Sequence, residues 1–235
     1  MTLVPWWALL SSGCAPAVLI VGWALSAALQ PAGYSAMLDS ISALAGQGAA
    51  NPWLMTGALC VLGACHFATA LGLRAAAMPG RVVLACGGVA SVLVALSPEP
   101  YGGSSFLHVV TTGFGFTLLA LFPVLAADRD GTRSGSIWPL KPVTGYIVTA
   151  LMAVGAAWFL VELHGHGIAG LAERILTGAQ SVWPLVIVLV CIGSEIETRP
   201  LSHPARQGRP SPALDVRSTR AEPRSAGQDA RRPRS

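Results

Sequence analysis

Two of the chain's five histidines, His66 and His108, stand inside long apolar runs. An ionisable group at membrane depth is costly, which makes each a functional candidate. His66 lies eight residues before Arg74, or about 12 Å from one boundary at 1.5 Å per residue. His108 lies just inside the opposite boundary, so the two rings differ in depth by roughly 12 Å. Zinc bonds are only about 2 Å long, so the two histidines are expected to belong to different sites.

Near His108 the connecting segments supply Asp39, Ser40, Ser42, Glu99, Tyr101, Ser104, Ser105, Glu162, His164 and His166. Imidazoles with carboxylates could bind zinc or activate a water, and Ser with His and Asp could support acyl transfer. The spacing supplies no HExxH, GxSxG, phosphate loop or dinucleotide fingerprint in a suitable context. The candidate outer polar site is therefore Asp39, Ser42, Glu99, His108, Glu162, His164 and His166, with no residue assigned a catalytic role. The plainer expectation is that these groups satisfy one another and cap helix ends. No cofactor is identified; zinc is the metal such donors would suit. His164-Gly165-His166-Gly167 offers two imidazoles on flexible glycines, which favours a hydrated loop over a chelate. His66 is expected to hydrogen-bond a neighbouring helix, with Thr69 or Thr56 as local partners, rather than to move protons. His108 is expected to face the interior and meet at least one of Asp39, Ser42, Glu99 or Glu162. All five cysteines fall in apolar segments, where thiols pack as small hydrophobes and imply no disulfide framework.

The elements that carry these residues follow from composition. The chain is 53% hydrophobic and only 11% charged, with a mean hydropathy of +0.59, which excludes an ordinary soluble domain. A helix needs about 20 apolar residues to cross the hydrocarbon. Segments that qualify run over 6–29, 53–73, 82–97, 106–127, 142–161 and 175–194, the short third borrowing from residues 75–80 or from Pro98. The fold class is thus all-α: an integral membrane six-helix bundle over 1–195, followed by a disordered tail over 196–235. Pro184 is placed to kink the last span, and the first is read as a retained anchor because it lacks a basic n-region.

Basic residues mark the cytoplasmic side. Arg74 and Arg81 follow span two, Arg129, Arg133 and Lys141 follow span four, and nine Arg follow span six. Only Arg174 lies on the other side, together with Asp39, Glu99, Glu162 and Glu173 at or near the boundary, so 14 of 15 basic residues agree and both termini are expected in the cytoplasm. In the first outer connection, Tyr34, Met37, Leu38, Ile41 and Leu44 have the spacing of a short helix lying along the membrane surface. Gly87 with Ser91, Gly113 with Thr117 and Gly145 with Thr149 are small pairs four apart, suited to close helix packing. The Arg-, Pro- and Ser-rich tail is too polar to fold alone. Its Arg clusters suit anionic lipid, while interspersed Glu197, Asp215, Glu222 and Asp229 weaken that contact and argue against a specific nucleic-acid partner. The Arg, Ala and Gly bias fits a bacterial genome rich in G and C.

Several ordered segments carry a resemblance. They are Ser42-Ala43-Leu44, Trp53-Leu54-Met55-Thr56, Cys65-His66-Phe67-Ala68-Thr69-Ala70-Leu71-Gly72-Leu73-Arg74, Gly80-Arg81, Gly87-Gly88, Pro98-Glu99-Pro100 and Gly103-Ser104-Ser105-Phe106-Leu107-His108. Over about residues 8–195 the chain resembles the six-pass bacterial membrane proteins grouped as domain of unknown function 998. The resemblance implies a six-helix membrane fold and supplies no catalytic mechanism. The expected function is that of a bundle acting on lipids, small molecules or membrane partners. The alternatives are a metal-dependent hydrolase of membrane lipids with an outward-facing site, or a small-molecule transporter. The oligomeric state is left open.

Overall fold

The structure, a computed structural model, describes residues 4–101, 103, 105–129, 137–165 and 167–198. Among these it is all helical. The long helices are α1 (Trp6–Ala28), α3 (Pro52–Gly72), α4 (Met78–Ala95), α5 (Phe106–Ala126), α6 (Pro142–Gly165) and α7 (Ala169–Thr198), with a five-residue α2 (Ile41–Ala45) between the first two. Each long helix is apolar enough and long enough to cross a membrane. The outward faces carry Leu10, Val61, Phe114, Leu151 and Val161, all exposed, as lipid contact requires. The chain is a multi-pass membrane protein.

The helix boundaries follow local chemistry. Pro52, Pro79 and Pro142 stand in the first turns of α3, α4 and α6, where the missing N–H costs nothing. Ser105 caps α5 by accepting from His108 N at 3.1 Å. α4 begins at Met78, drawing on the residues before 82 that the third span was expected to need. α7 begins six residues ahead of the expected 175, so Glu173 and Arg174 lie within it.

Every long helix packs on its neighbours in sequence, and α7 returns to α1, closing a ring. Glycines set the closest crossings. A Cβ on Gly88 of α4 would lie 2.5 Å from Gly63 O of α3, and a Cβ on Gly63 would strike Gly88 O in return. Gly87 abuts Leu119 and Gly145 abuts the Pro123 backbone, but a Cβ on Gly113 would meet nothing within 4 Å among the described residues, so two of the three small pairs pack as expected. Two apolar clusters fill much of the ring. One gathers Leu73, Leu84, Leu119, Phe122, Leu140 and Ile187 toward the Arg74 end. The other gathers Leu19, Ile41, Leu44, Met55, Leu59 and Leu62 toward α2.

The first connection departs from expectation. Of the residues expected to form one surface helix, Ile41 and Leu44 are buried in α2, whereas Met37 and Leu38 are 47% and 54% exposed and precede it. Ser40 caps α2 by accepting from Ala43 N, and the helix tucks into the bundle because its apolar side completes the second cluster. The tail from 199 onward, with its expected disorder, lies outside the described residues.

Candidate functional site

The structure divides the candidate outer set into separate groups. His108 faces inward and is buried; its Nδ1 is 2.7 Å from Ser97 O and its Nε2 is 3.4 Å from a Glu99 carboxyl oxygen. Burial holds Glu99 above the usual carboxylate range, and His108 opposes this in part. Asp39 is elsewhere, accepting from Ser35 N at 2.7 Å to close a turn. Glu162 accepts from Trp158 Nε1 at 3.0 Å and from Ile168 N at 2.9 Å, joining α6 to the start of α7. His164 Nδ1 is 2.8 Å from Leu160 O on an exposed turn. Tyr101 is exposed, and Ser104 and His166 lie outside the described residues. Of the four partners expected for His108, only Glu99 meets it.

The ends of the first connection and α7 are bound together by neighbouring charges that the sequence had placed merely at a boundary. Arg174 donates from one terminal nitrogen to Ala36 O, Asp39 O and Gly170 O at 2.7–2.9 Å, and from the other to Tyr34 Oη at 2.6 Å. Burial raises the Tyr34 phenol above its ordinary pKa, with the Arg174 charge opposing. Glu173 points inward at 3% exposure and accepts from Ile41 N, the first N–H of α2.

Below α2 the ring holds a partly open cavity of about 70 Å3. One water needs roughly 10–15 Å3 of such space, so the cavity takes several waters or a ligand of a few heavy atoms. Its apolar wall comes from both clusters, with Leu19, Leu59 and Leu62 on one side and Leu119 on the other. Its polar wall comes from five elements: Ser42 of α2, His66 of α3, Ser91 of α4, Thr112 of α5, and Glu173, Thr177 and Gln180 of α7. The last three are spaced i, i+4, i+7, which places them on one face of α7.

Hydrogen bonding distinguishes two kinds of residue in this wall. Ser91 donates to Gly87 O and Thr177 to Glu173 O within their own helices. By contrast, both ring nitrogens of His66, the Thr112 hydroxyl and the Gln180 side-chain oxygen are buried with no partner among the described residues. Gln180 is oriented, since its Nε2 donates to Phe116 O at 3.0 Å, which leaves Oε1 for the cavity. The expected His66 partners are not used: Thr69 pairs with Ser11 across α1 and α3 at 2.8 Å, leaving the imidazole to line the cavity. Buried polar atoms are rarely left unpaired, because each costs about 1–3 kcal/mol. Several on one cavity mark it as the candidate site.

Ser42, His66 and the Glu99–His108 pair were candidates from sequence alone; Glu173, Thr112 and Gln180 were not. Among the described residues no three of His, Cys, Asp or Glu converge as a metal-binding group. Residues 14–190 match the family described as Protein of unknown function (DUF998). No curated protein and no solved structure matches the chain.

Proposed function

The chain belongs to the DUF998 family, and from the interior of its bundle we propose that it binds a small polar molecule within the membrane, in the cavity beneath α2. The carrying observation is the convergence of unpaired His66, Thr112 and Gln180 atoms with the buried Glu173 carboxyl on one cavity. A bundle with no ligand to hold gains stability by filling such a space with apolar side chains. The cavity lies between two apolar clusters, so its polar groups form a local binding surface rather than a solvated face. The placement of the protein in the cell membrane with both termini cytoplasmic belongs to the same proposal. It is supported by the 14 basic residues that share one side and by the structural employment of the exception, Arg174. The Arg-rich tail then faces the anionic leaflet.

The test is the thermal stability of detergent-purified protein in the presence of small probes: methylammonium chloride, ethylene glycol and sodium acetate. At least one probe is expected to raise Tm in a saturable way, and Thr112→Leu, which places an apolar branch in the cavity, is expected to abolish the rise. A Tm indifferent to all three probes overturns the reading. For orientation, single-cysteine variants on a cysteine-free background serve, with Gly103→Cys expected to label from outside intact cells and Lys141→Cys only after permeabilisation. The reverse pattern overturns the topology.

A further inference from the structure

The cavity's polar atoms are unequal in kind, and their imbalance specifies a ligand class. Gln180 Oε1 can only accept a hydrogen bond, and its orientation is fixed by the bond from Nε2 to Phe116 O. A neutral imidazole always keeps one accepting nitrogen, and neither nitrogen of His66 has a partner among the described residues. Thr112 can accept as well as donate. Glu173 brings the only acidic side chain among the described lining residues, and one of its oxygens is already committed to Ile41 N. Among the described residues no Lys or Arg lines the cavity. Arg174, the nearest cation in sequence, is directed to two carbonyls and the Tyr34 hydroxyl of the first connection and to Gly170 O of its own helix.

Resting on the proposed binding role, we infer that the cavity takes a small N–H-bearing cation, a primary ammonium group, with Glu173 as its counter-charge and Gln180 Oε1 and His66 as acceptors for its N–H groups. An anion would meet a carboxylate with no basic side chain to offset it, at a desolvation cost that nothing in the wall returns. A neutral alcohol could use the acceptors but would leave the carboxylate uncompensated. An alkali ion would use the oxygens and gain little from an imidazole, which suits softer ions or a hydrogen-bond donor. An ammonium group supplies three donors and the charge that a buried carboxylate lacks. Its size fits a cavity of about 70 Å3.

The experiment measures binding to the full chain in nanodiscs at one pH and constant ionic strength, using methylammonium, tetramethylammonium and sodium chlorides and ethylene glycol as probes. Methylammonium is expected to bind saturably. Tetramethylammonium, which carries the charge without N–H donors, and sodium are expected to bind at least tenfold more weakly. Glu173→Gln keeps an oxygen to accept from Ile41 N and removes the charge, and should weaken methylammonium at least tenfold. Should that variant not fold, the discrimination among probes by the wild-type protein decides alone. Equal binding of tetramethylammonium or sodium overturns the ligand class, as does undiminished methylammonium binding by folded Glu173→Gln. Binding of ethylene glycol without methylammonium overturns the class while leaving the cavity a binding site. Binding of no probe overturns both.

Discussion

Thr111 and Thr112 are adjacent on α5 and meet opposite fates, which makes the pair an internal test of the cavity. Thr111 is buried and its hydroxyl donates to Leu107 O at 2.7 Å. The Thr112 hydroxyl is buried with no partner among the described residues, and Thr112 lines the cavity. Replacing either with Val keeps the shape and exchanges the hydroxyl for a methyl group. At Thr111 this removes a made hydrogen bond and should destabilise by about 0.5–1.5 kcal/mol. At Thr112 it removes an unpaired group whose burial costs about 1–3 kcal/mol, so stability should rise. Polar contacts in membrane proteins average only about 0.6 kcal/mol, because the unfolded state in the bilayer also finds partners, which lowers both magnitudes and leaves both signs. Reversible SDS unfolding in mixed micelles reads the two variants against wild type. The same Thr112→Val protein should lose part of its stabilisation by the polar probes, whereas Thr111→Val should keep it. If Thr112→Val destabilises the bundle as much as Thr111→Val does, the hydroxyl has a structural partner, and the argument that the cavity is kept polar for a ligand fails.

Other parts of the structure predict as sharply. Gly88→Val should destabilise by about 1–3 kcal/mol through overpacking at the α3–α4 crossing, where its Cβ would lie 2.5 Å from Gly63 O and 3.2 Å from His66 Cβ; denaturation followed by circular dichroism reads the loss. Arg174→Ala should cost at least about 1.5–3 kcal/mol, the worth of one hydrogen bond to a charged group, and hydrogen exchange should show faster opening over residues 34–45 than elsewhere. Burial raises the Glu99 carboxyl above its usual value of 4.5, so the fold favours its neutral form. That contribution is fully present below pH 4.5 and is lost as pH rises through the raised value. Glu99→Gln should flatten this part of the stability–pH curve, and an unchanged slope would show that another group carries it.

The six spans were legible because hydrocarbon thickness imposes a length and an apolar composition that no other constraint in the chain imitates. Their edges were less so. Hydropathy began the last span at residue 175 because Glu173 and Arg174 read as boundary charges. In the structure α7 extends back to Ala169, since the two charges are satisfied inside the fold by Ile41 N and by the carbonyls of the first connection. The first connection was misread for a related reason. Its apolar spacing matched a surface helix, but only Ile41 and Leu44 are buried in a hydrophobic cluster, with Tyr34 packed against its edge. Met37 and Leu38 instead supply backbone carbonyls to the N–H groups of Leu171 and Gly170, a role that side-chain periodicity does not encode.

The site was half legible for the same physical reason that its boundary residues were misplaced. His66 could be singled out because an imidazole inside an apolar run is conspicuous, and its lack of a helix partner is what turns it toward the cavity. Glu173, Thr177 and Gln180 form a polar stripe at i, i+4 and i+7 on α7, a signal present in the sequence and invisible once Glu173 is assigned to a loop. Arg174 held the correcting clue. A lone basic residue on the side opposite 14 others is retained against the charge rule only if its hydrogen bonds are worth more than its misplacement costs. Those bonds require an acceptor-rich partner close to the start of α7. That partner is the first connection, and once it is docked there α2 stands over the stripe, so the one misplaced charge implies both the true start of the last helix and the cover of the cavity beside it.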